Sequence, residues 1–306
     1  MRDARAEAME RVGGRYDVRV LEPSPPALSE APFFADDPVA GGDVVPVDRA
    51  GARTWADVCA GDAGLRAWCE DRWLVRRALA PLPDGFPTTR LALHAVTEHV
   101  VAPCRHAANG RIGLRYTYRG FGTPFFADDR QVRIEDGMLA VGDRRGDRVE
   151  RLTTLRAAAA LVDLPLPTST GVYTPTTAGD LDEPLVVDPA CARALGDWFG
   201  FCASVLEQLR AESGQADAPS RLQLWPEHFD VAVDLGPPDA RANFGGSPGD
   251  AVHPEPYLYV GPWGPLAGDA GGFWNEPFGA SLSYRALLDG ADPLEFLRTG
   301  KALVQG

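Results

Sequence analysis

An α+β fold is what the sequence predicts: antiparallel sheets packed with helices, behind an irregular N-terminal arm. Three observations carry that expectation. Apolar and polar residues alternate with period two in short runs, one pair of them joined by a hairpin dipeptide. Helical patterns are segregated from these runs instead of alternating with each strand, which argues against a doubly wound sheet. Finally, 45% of the 306 residues are hydrophobic and 24% charged, enough apolar material for a sizeable core.

The elements follow in order. Residues 1–50 read as a loosely structured arm, with a short strand at 16–21 and a Pro-, Gly- and Asp-rich stretch at 22–48. The hexapeptide Pro-Phe-Phe-Ala-Asp-Asp at 32–37 recurs at 124–129, but the flanks differ, so it reads as two unrelated turns and not as a repeat array. Thr54-Trp55-Ala56-Asp57 has capping-box character, and a second helix spans 64–79, ended by Pro81 and Pro83. A third helix starts at Thr88 or Thr89. Its Leu93, Val96, Val100 and Cys104 keep the helical period, Pro103 must kink or split it, and Asn109-Gly110 closes it.

Strand signals come next. Ile112, Leu114, Tyr116 and Tyr118 alternate with Arg111, Arg115 and Arg119, residues 120–124 are turn material, and Asp136-Gly137 joins strands at 131–135 and 138–141. Thr153 or Thr154 can cap a helix running to Val162. Residues 51–164 thus form one unit of helices plus antiparallel meander. A Pro/Thr-rich connection at 165–184 separates it from 185–306, and the two units are either separate domains or one. The second unit opens with Asp188-Pro189, an N-cap carboxylate followed by Pro at the first helical position. Leu195, Trp198, Phe199, Cys202, Val205, Leu206 and Leu209 make a long apolar stripe, ended by Gly214. Residues 222–235 and 257–260 read as strands, and Asp292-Pro293 opens a C-terminal helix.

The His-bearing helix, the segment 110–119, the turn Gly120-Phe121-Gly122-Thr123-Pro124, the long helix, Trp225-Pro226-Glu227-His228-Phe229-Asp230 and Pro254-Glu255-Pro256-Tyr257 occur in that order. This succession resembles an uncharacterised bacterial family labelled only as a domain of unknown function. The likeness spans residues 88–304 and implies that 1–87 is an extension particular to this type of chain. The family has no assigned activity, so it lends no catalytic residue.

Charge narrows the partners. The formal net charge is −13, which repels phosphate backbones and anionic lipid, so nucleic acid and membrane are not expected partners. No apolar run approaches the roughly 18 residues of a membrane span, and the first residues lack the apolar region of a secretory signal. Cys59, Cys69, Cys104, Cys191 and Cys202 are scattered and never spaced as C-x-x-C, which fits reduced thiols and a cytoplasmic setting.

No G-x-S-x-G, G-x-x-x-x-G-K-[ST], H-E-x-x-H or strand-linked G-x-G-x-x-G occurs in the sequence. Four constellations remain. On a continuous strand His228 and Asp230 would share a face, and His253 and Glu255 repeat the spacing; together they could hold a divalent metal, though no metal is required. Arg111, Arg115 and Arg119 on one strand face could bind an anion, or could be a solvent face balanced by acidic neighbours such as Glu135. His94 and Glu98 share a helix face and read as a surface pair. Last, Trp225, Phe229, Phe244, Tyr257, Tyr259, Trp263, Phe273, Trp274, Phe278 and Tyr284 crowd the C-terminal third among glycine-rich loops.

The leading expectation is a small-molecule-binding protein, enzymatic or not, with its pocket around 222–260 and Trp225, His228, Asp230, Asn243, Tyr257 and Trp274 as contacts. One alternative is a non-catalytic interaction protein using the aromatic third as a homodimer or partner interface. Another is a metal-dependent enzyme built on His228, Asp230, His253 and Glu255.

Overall fold

The computed structural model describes residues 78–306 apart from 118, 125, 128–129, 144–145 and 267–270, plus the paired two-residue strands Pro32–Phe33 and Arg53–Thr54. The strand expected at 16–21, the helix expected from Thr54 and nearly all of the one expected over 64–79 lie outside the described residues, as does most of the N-terminal arm. The first described helix, α1, spans Phe86–Val96 behind Gly85, whose φ of 83° suits a residue without Cβ. It starts ahead of Thr88 and Thr89, with Pro87 in its first turn. Thr89 caps nothing; its hydroxyl accepts from the Asp188 amide at 3.0 Å. A π-helical turn, Thr97–Val101, leads into α2, Ala102–Asn109. Pro103 explains the widening: its ring crowds the carbonyl four residues back and it has no N–H to give, so the coil loosens immediately before it. Gly110, at φ 74°, ends the run as the sequence predicts.

Five strands follow as a meander: β1 Arg115–Thr117, β2 Gly120–Gly122, β3 Gln131–Glu135, β4 Met138–Asp143 and β5 Gly146–Arg151. The Asp136-Gly137 hairpin forms with φ of 50° and 77°. Gly120–Gly122 is a strand, not the expected turn. Thr154 caps α3, Leu155–Leu161, through its hydroxyl to the Ala157 amide at 3.1 Å.

The long helix α4, Pro189–Glu212, starts as predicted, Asp188 accepting from the amides of Ala190 (2.8 Å) and Cys191 (3.0 Å). A second antiparallel meander comprises β6 Gln223–Trp225, β7 Asp230–Leu235, β8 Ala242–Ser247, β9 Tyr257–Pro262 and β10 Ala280–Ser283. Helices α5, Tyr284–Leu288, and α6, Pro293–Gln305, complete the chain, α6 opening on Asp292 as predicted. The stretch expected as one strand at 222–235 is broken by a turn in which Phe229 has φ 53°. Gly245, Gly246 and Ser247, read from sequence as the start of a flexible glycine-rich loop, belong to β8, a central strand.

The two halves repeat one plan: a helical segment, a five-stranded meander, then a short helix capped by Thr154 or Ser283. They meet at a bridge in which the Leu114 amide donates to Leu224 O (2.7 Å) and the Leu224 amide returns to Leu114 O (2.9 Å). Arg111-Ile112-Gly113-Leu114 and Arg221-Leu222-Gln223-Leu224 are the equivalent segments. At the same interval beyond each leucine stands a left-handed residue, Arg119 (φ 64°) or Phe229 (φ 53°). α4 packs across the junction. Its Gly196 lies on the Arg119–Gly120 backbone, its Gly200 on the Tyr116 ring and its Cys202 on Gly246 of β8. Phe121, Phe199 and Phe229 meet edge to face beneath it, at centroid distances of 5.2–5.7 Å. One continuous hydrophobic core therefore serves both units.

Candidate functional site

Val231, Val233 and Leu235 of β7 turn inward to the core, so period two sends Asp230, Ala232 and Asp234 to the opposite face of the sheet. There they line a cavity of about 570 Å³ with Asn243 of β8, Tyr259 of β9, and Trp225, Glu227, His228, Arg241 and Trp263 from the strand ends and turns. That size falls in the range of small-molecule sites, roughly 300–1,000 Å³.

Asp230 is its most unusual member. It is 5% exposed, its Oδ2 accepts from the Tyr259 hydroxyl, and its Oδ1 has no hydrogen-bond partner among the described residues. Burial pushes its pKa up to about 6, against the lowering effects of the Tyr259 bond and of His228; Glu227 adds a further upward push. Glu227 Oε2 is likewise buried without a hydrogen-bond partner. Tyr259 reaches Asp230 by crossing β8 over Gly245, where a Cβ would lie 2.5 Å from its ring, so glycine is required for this contact. The cavity's arginine is already engaged. Arg241 ion-pairs with Asp234, donates to Gly236 O (2.7 Å) and Ala218 O (2.9 Å), and lies 5.4 Å from the Trp263 ring centroid. Trp263 is 61% exposed, and its indole N–H donates to Asn243 Oδ1 at 2.8 Å, which fixes the ring at the cavity edge.

Trp225, His228, Asp230 and Asn243 thus come together as expected, but for a different reason. His228 is in the turn before β7 and not on its face; the left-handed Phe229 brings it round to the cavity. Tyr257 shares the sheet face with Tyr259, and its hydroxyl is spent on Asp250 (2.9 Å). Trp274 packs edge-on to Phe273, which stacks on Phe296 of α6, so it is not a cavity wall. Sequence pattern alone does not mark Glu227, Asp234, Arg241, Tyr259 and Trp263 as contacts. The glycines of β8 facing an aromatic strand were the available signal.

The four-residue metal set does not assemble. His253 bonds to Glu276 (2.9 Å) and Glu255 is exposed. Among the described residues no three His, Cys, Asp or Glu side chains are grouped to hold a metal. Nor do Arg111, Arg115 and Arg119 form a face. β1 has only three residues, Arg111 precedes it, and Arg119 sits in the β1–β2 turn paired with Asp136 at 2.7 Å. Arg111 and Arg115 are buried, contrary to a solvent-facing stripe, and Arg133 bonds to Glu135 at 3.3 Å.

His94 and Glu98 are also not a surface pair. Glu98 is 1% exposed and accepts from the amides and hydroxyls of Thr176 and Thr177 at 2.5–3.1 Å. Burial alone would raise its pKa, but those bonds and His94 outweigh it and hold the carboxylate below its usual range. His94 donates to Pro226 O (2.9 Å) and stacks on Phe229 (4.9 Å); its burial lowers its pKa, despite Glu98 at 3.6 Å. Arg90, on the same helix face, donates to the carbonyls of Pro254 and Asp250, both at 3.2 Å. One face of the α1–π-turn run therefore ties down three separate loops, including the one that carries Glu227 and His228.

The aromatic third is divided between roles. Phe229, Phe244 and Tyr284 are core, whereas Trp263 and Phe278 (42%) are exposed. No described helix is long and apolar enough to cross a membrane. Comparison of the chain with protein-family models, with curated proteins and with solved structures finds no match.

Proposed function

We propose that this chain is a small-molecule-binding protein of the cytoplasm, with its ligand seated in the cavity over β7, β8 and β9. The single observation that carries the reading is Asp230: a buried carboxyl oxygen without a hydrogen-bond partner among the described residues, in the wall of a cavity of ligand size. Burying such a group costs free energy unless it is hydrogen-bonded, so its retention supports a bound donor. The tethering of the Glu227–His228 turn by His94 supports a preorganised site. A carboxyl titrating near pH 6 beside an exposed histidine also suits general acid–base chemistry, which favours a second, enzymatic reading of the same cavity.

The test is a thermal-shift screen of the full chain against a panel of cationic, anionic and neutral metabolites. At least one class should raise the melting temperature of the wild type, and Trp225→Ala should abolish the shift. If no compound stabilises the protein, the binding reading fails, and a concentration-dependent dimer would then point to an interaction role.

A further inference from the structure

Resting on that reading of the cavity, we infer that its ligand is a nitrogen cation on a flat apolar body, an amidinium, guanidinium or ammonium group whose N–H donors face Asp230 and Glu227 while the body lies against Trp225 and Trp263. Charge comes first. Glu227, Asp230 and Asp234 line the cavity, and the only arginine among its lining residues, Arg241, is engaged by Asp234 and by carbonyls. An anion would meet the carboxyl groups of Asp230 and Glu227, with His228, among the described residues, the one cavity-lining basic group beside them that is not held in an ion pair. Hydrogen bonding agrees: among the described residues Asp230 Oδ1 and Glu227 Oε2 are acceptors without hydrogen-bond partners, and a group that only donates satisfies both. A neutral hydroxyl could give one hydrogen bond but no charge. Indole faces complete the match, since cations are drawn to aromatic faces and flat bodies stack on them. Arg241 already shows this contact on Trp263.

The groups that set the charge of Asp230 are Glu227 and His228 from the turn, Tyr259 and Tyr257 from β9, and Cys202 from α4 behind it. Among these the carboxyl titrates at about pH 6, and only its ionised form attracts a cation. Binding of a cation should therefore weaken as pH falls through that value, by up to about tenfold per pH unit below it.

The experiment is calorimetric titration of the full chain with benzamidine, phenethylamine, benzoate, benzyl alcohol and cellobiose, at pH 5 and pH 8. Benzamidine or phenethylamine should bind, and more tightly at pH 8 by about tenfold. Asp230→Asn and Glu227→Gln should each weaken the cation at least tenfold, with circular dichroism confirming the fold. Two variants guard against one failing to fold. Cations that bind equally well to both variants and to Trp225→Ala would be pairing with the acidic surface, and the inference falls. Benzoate or cellobiose binding in a Trp225-dependent way, without the cations, overturns the inference but leaves the cavity as a ligand site. Binding by none of the five probes overturns the inference, and the wider metabolite screen then decides the cavity reading separately.

Discussion

Asp230 costs the fold stability, and the cost depends on pH. Its pKa in the native state is raised to about 6, so the folded protein holds a proton that the unfolded chain releases near pH 4. The sign follows from linkage: this group's favourable contribution is complete below the unfolded value and is lost as pH rises through about 6. At pH 8 the buried carboxylate is therefore a net penalty, of up to about 3 kcal/mol for a shift near two pH units. Asp230→Asn keeps an acceptor for the Tyr259 hydroxyl and removes the charge. It should stabilise the protein at pH 8 in urea unfolding, with a smaller gain at pH 5, while weakening cation binding at least tenfold. A variant less stable than the wild type at pH 8 would mean that a further donor satisfies the carboxylate. Stability held back at a binding residue is what a preorganised site leads one to expect. Gly245 is the companion case. A methyl there meets the Tyr259 ring at 2.5 Å, so Gly245→Ala should displace the tyrosine, destabilise by about 1–3 kcal/mol and lower the Asp230 pKa, because water relieves its burial, the largest influence on it, and this outweighs the lost Tyr259 bond. Carboxyl titration followed by carbon-13 NMR reads that change directly.

At the scale of elements, the helical run from α1 through the π turn acts as a clamp. Arg90, His94 and Glu98 recur at the helical interval, and each bonds a different loop: 248–254, 226–229 and 176–177. Glu98→Ala leaves the amides and hydroxyls of Thr176 and Thr177 without their acceptor and should cost roughly 3 kcal/mol. Its pH dependence runs opposite to that of Asp230. The native pKa of Glu98 is depressed, so its contribution is complete above the unfolded carboxylate value and is lost as pH falls through the native one. The variant should thus narrow its deficit in acid, as urea unfolding at pH 7 and pH 3.5 would register; a deficit independent of pH would assign it to lost packing. These pairings also show where sequence reading stops. Helix starts at Asp188 and Asp292, the Thr154 cap, the Asp136-Gly137 hairpin and the disruption at Pro103 were legible, because each depends on chemistry within a few residues. Glu98 looked like a surface partner of His94 because its real partners are far along the chain. β2 and β8 read as turn and loop because their glycines have no β propensity; they are placed there by close packing against the β3 backbone at Val132 and Ile134, and against Tyr259 and Cys202. The cavity was legible in Trp225, His228, Asp230 and Asn243, since they cluster in sequence. Tyr259, Arg241 and Trp263 were not, since β-sheet register alone brings them across.

At the scale of the whole molecule, the repeated plan and the helix across its seam decide how the fold comes apart. Matching residues in the two halves are too few for the sequence to reveal the repeat, beyond the Arg-x-x-Leu segments at the seam. The repeat nevertheless has a mechanical consequence. A pair of leucine amides is a weak joint, so beside the α1 clamp the cohesion of the halves falls to α4, whose residues pack on β1, β2 and β3 as well as β7 and β8. At Gly196 α4 lies directly on the backbone of the first sheet: a Cβ there would lie 2.5 Å from the Arg119 carbonyl carbon and 2.6 Å from the Gly120 nitrogen. Neither is a side chain that can swing away. Gly196→Ala must therefore lift α4 from the first sheet, at a cost of about 1–3 kcal/mol. If α4 couples the halves, that cost is felt in both, though the substitution touches only one. The slowest-exchanging amides of β3 and β4 and those of β7 and β9 should then accelerate by a common factor, about 5- to 150-fold for that range. Native-state hydrogen exchange read by mass spectrometry measures it strand by strand. Acceleration confined to the first meander, with β7 and β9 protected as before, would show two independently stable units sharing a core, and the coupling assigned to α4 would be wrong.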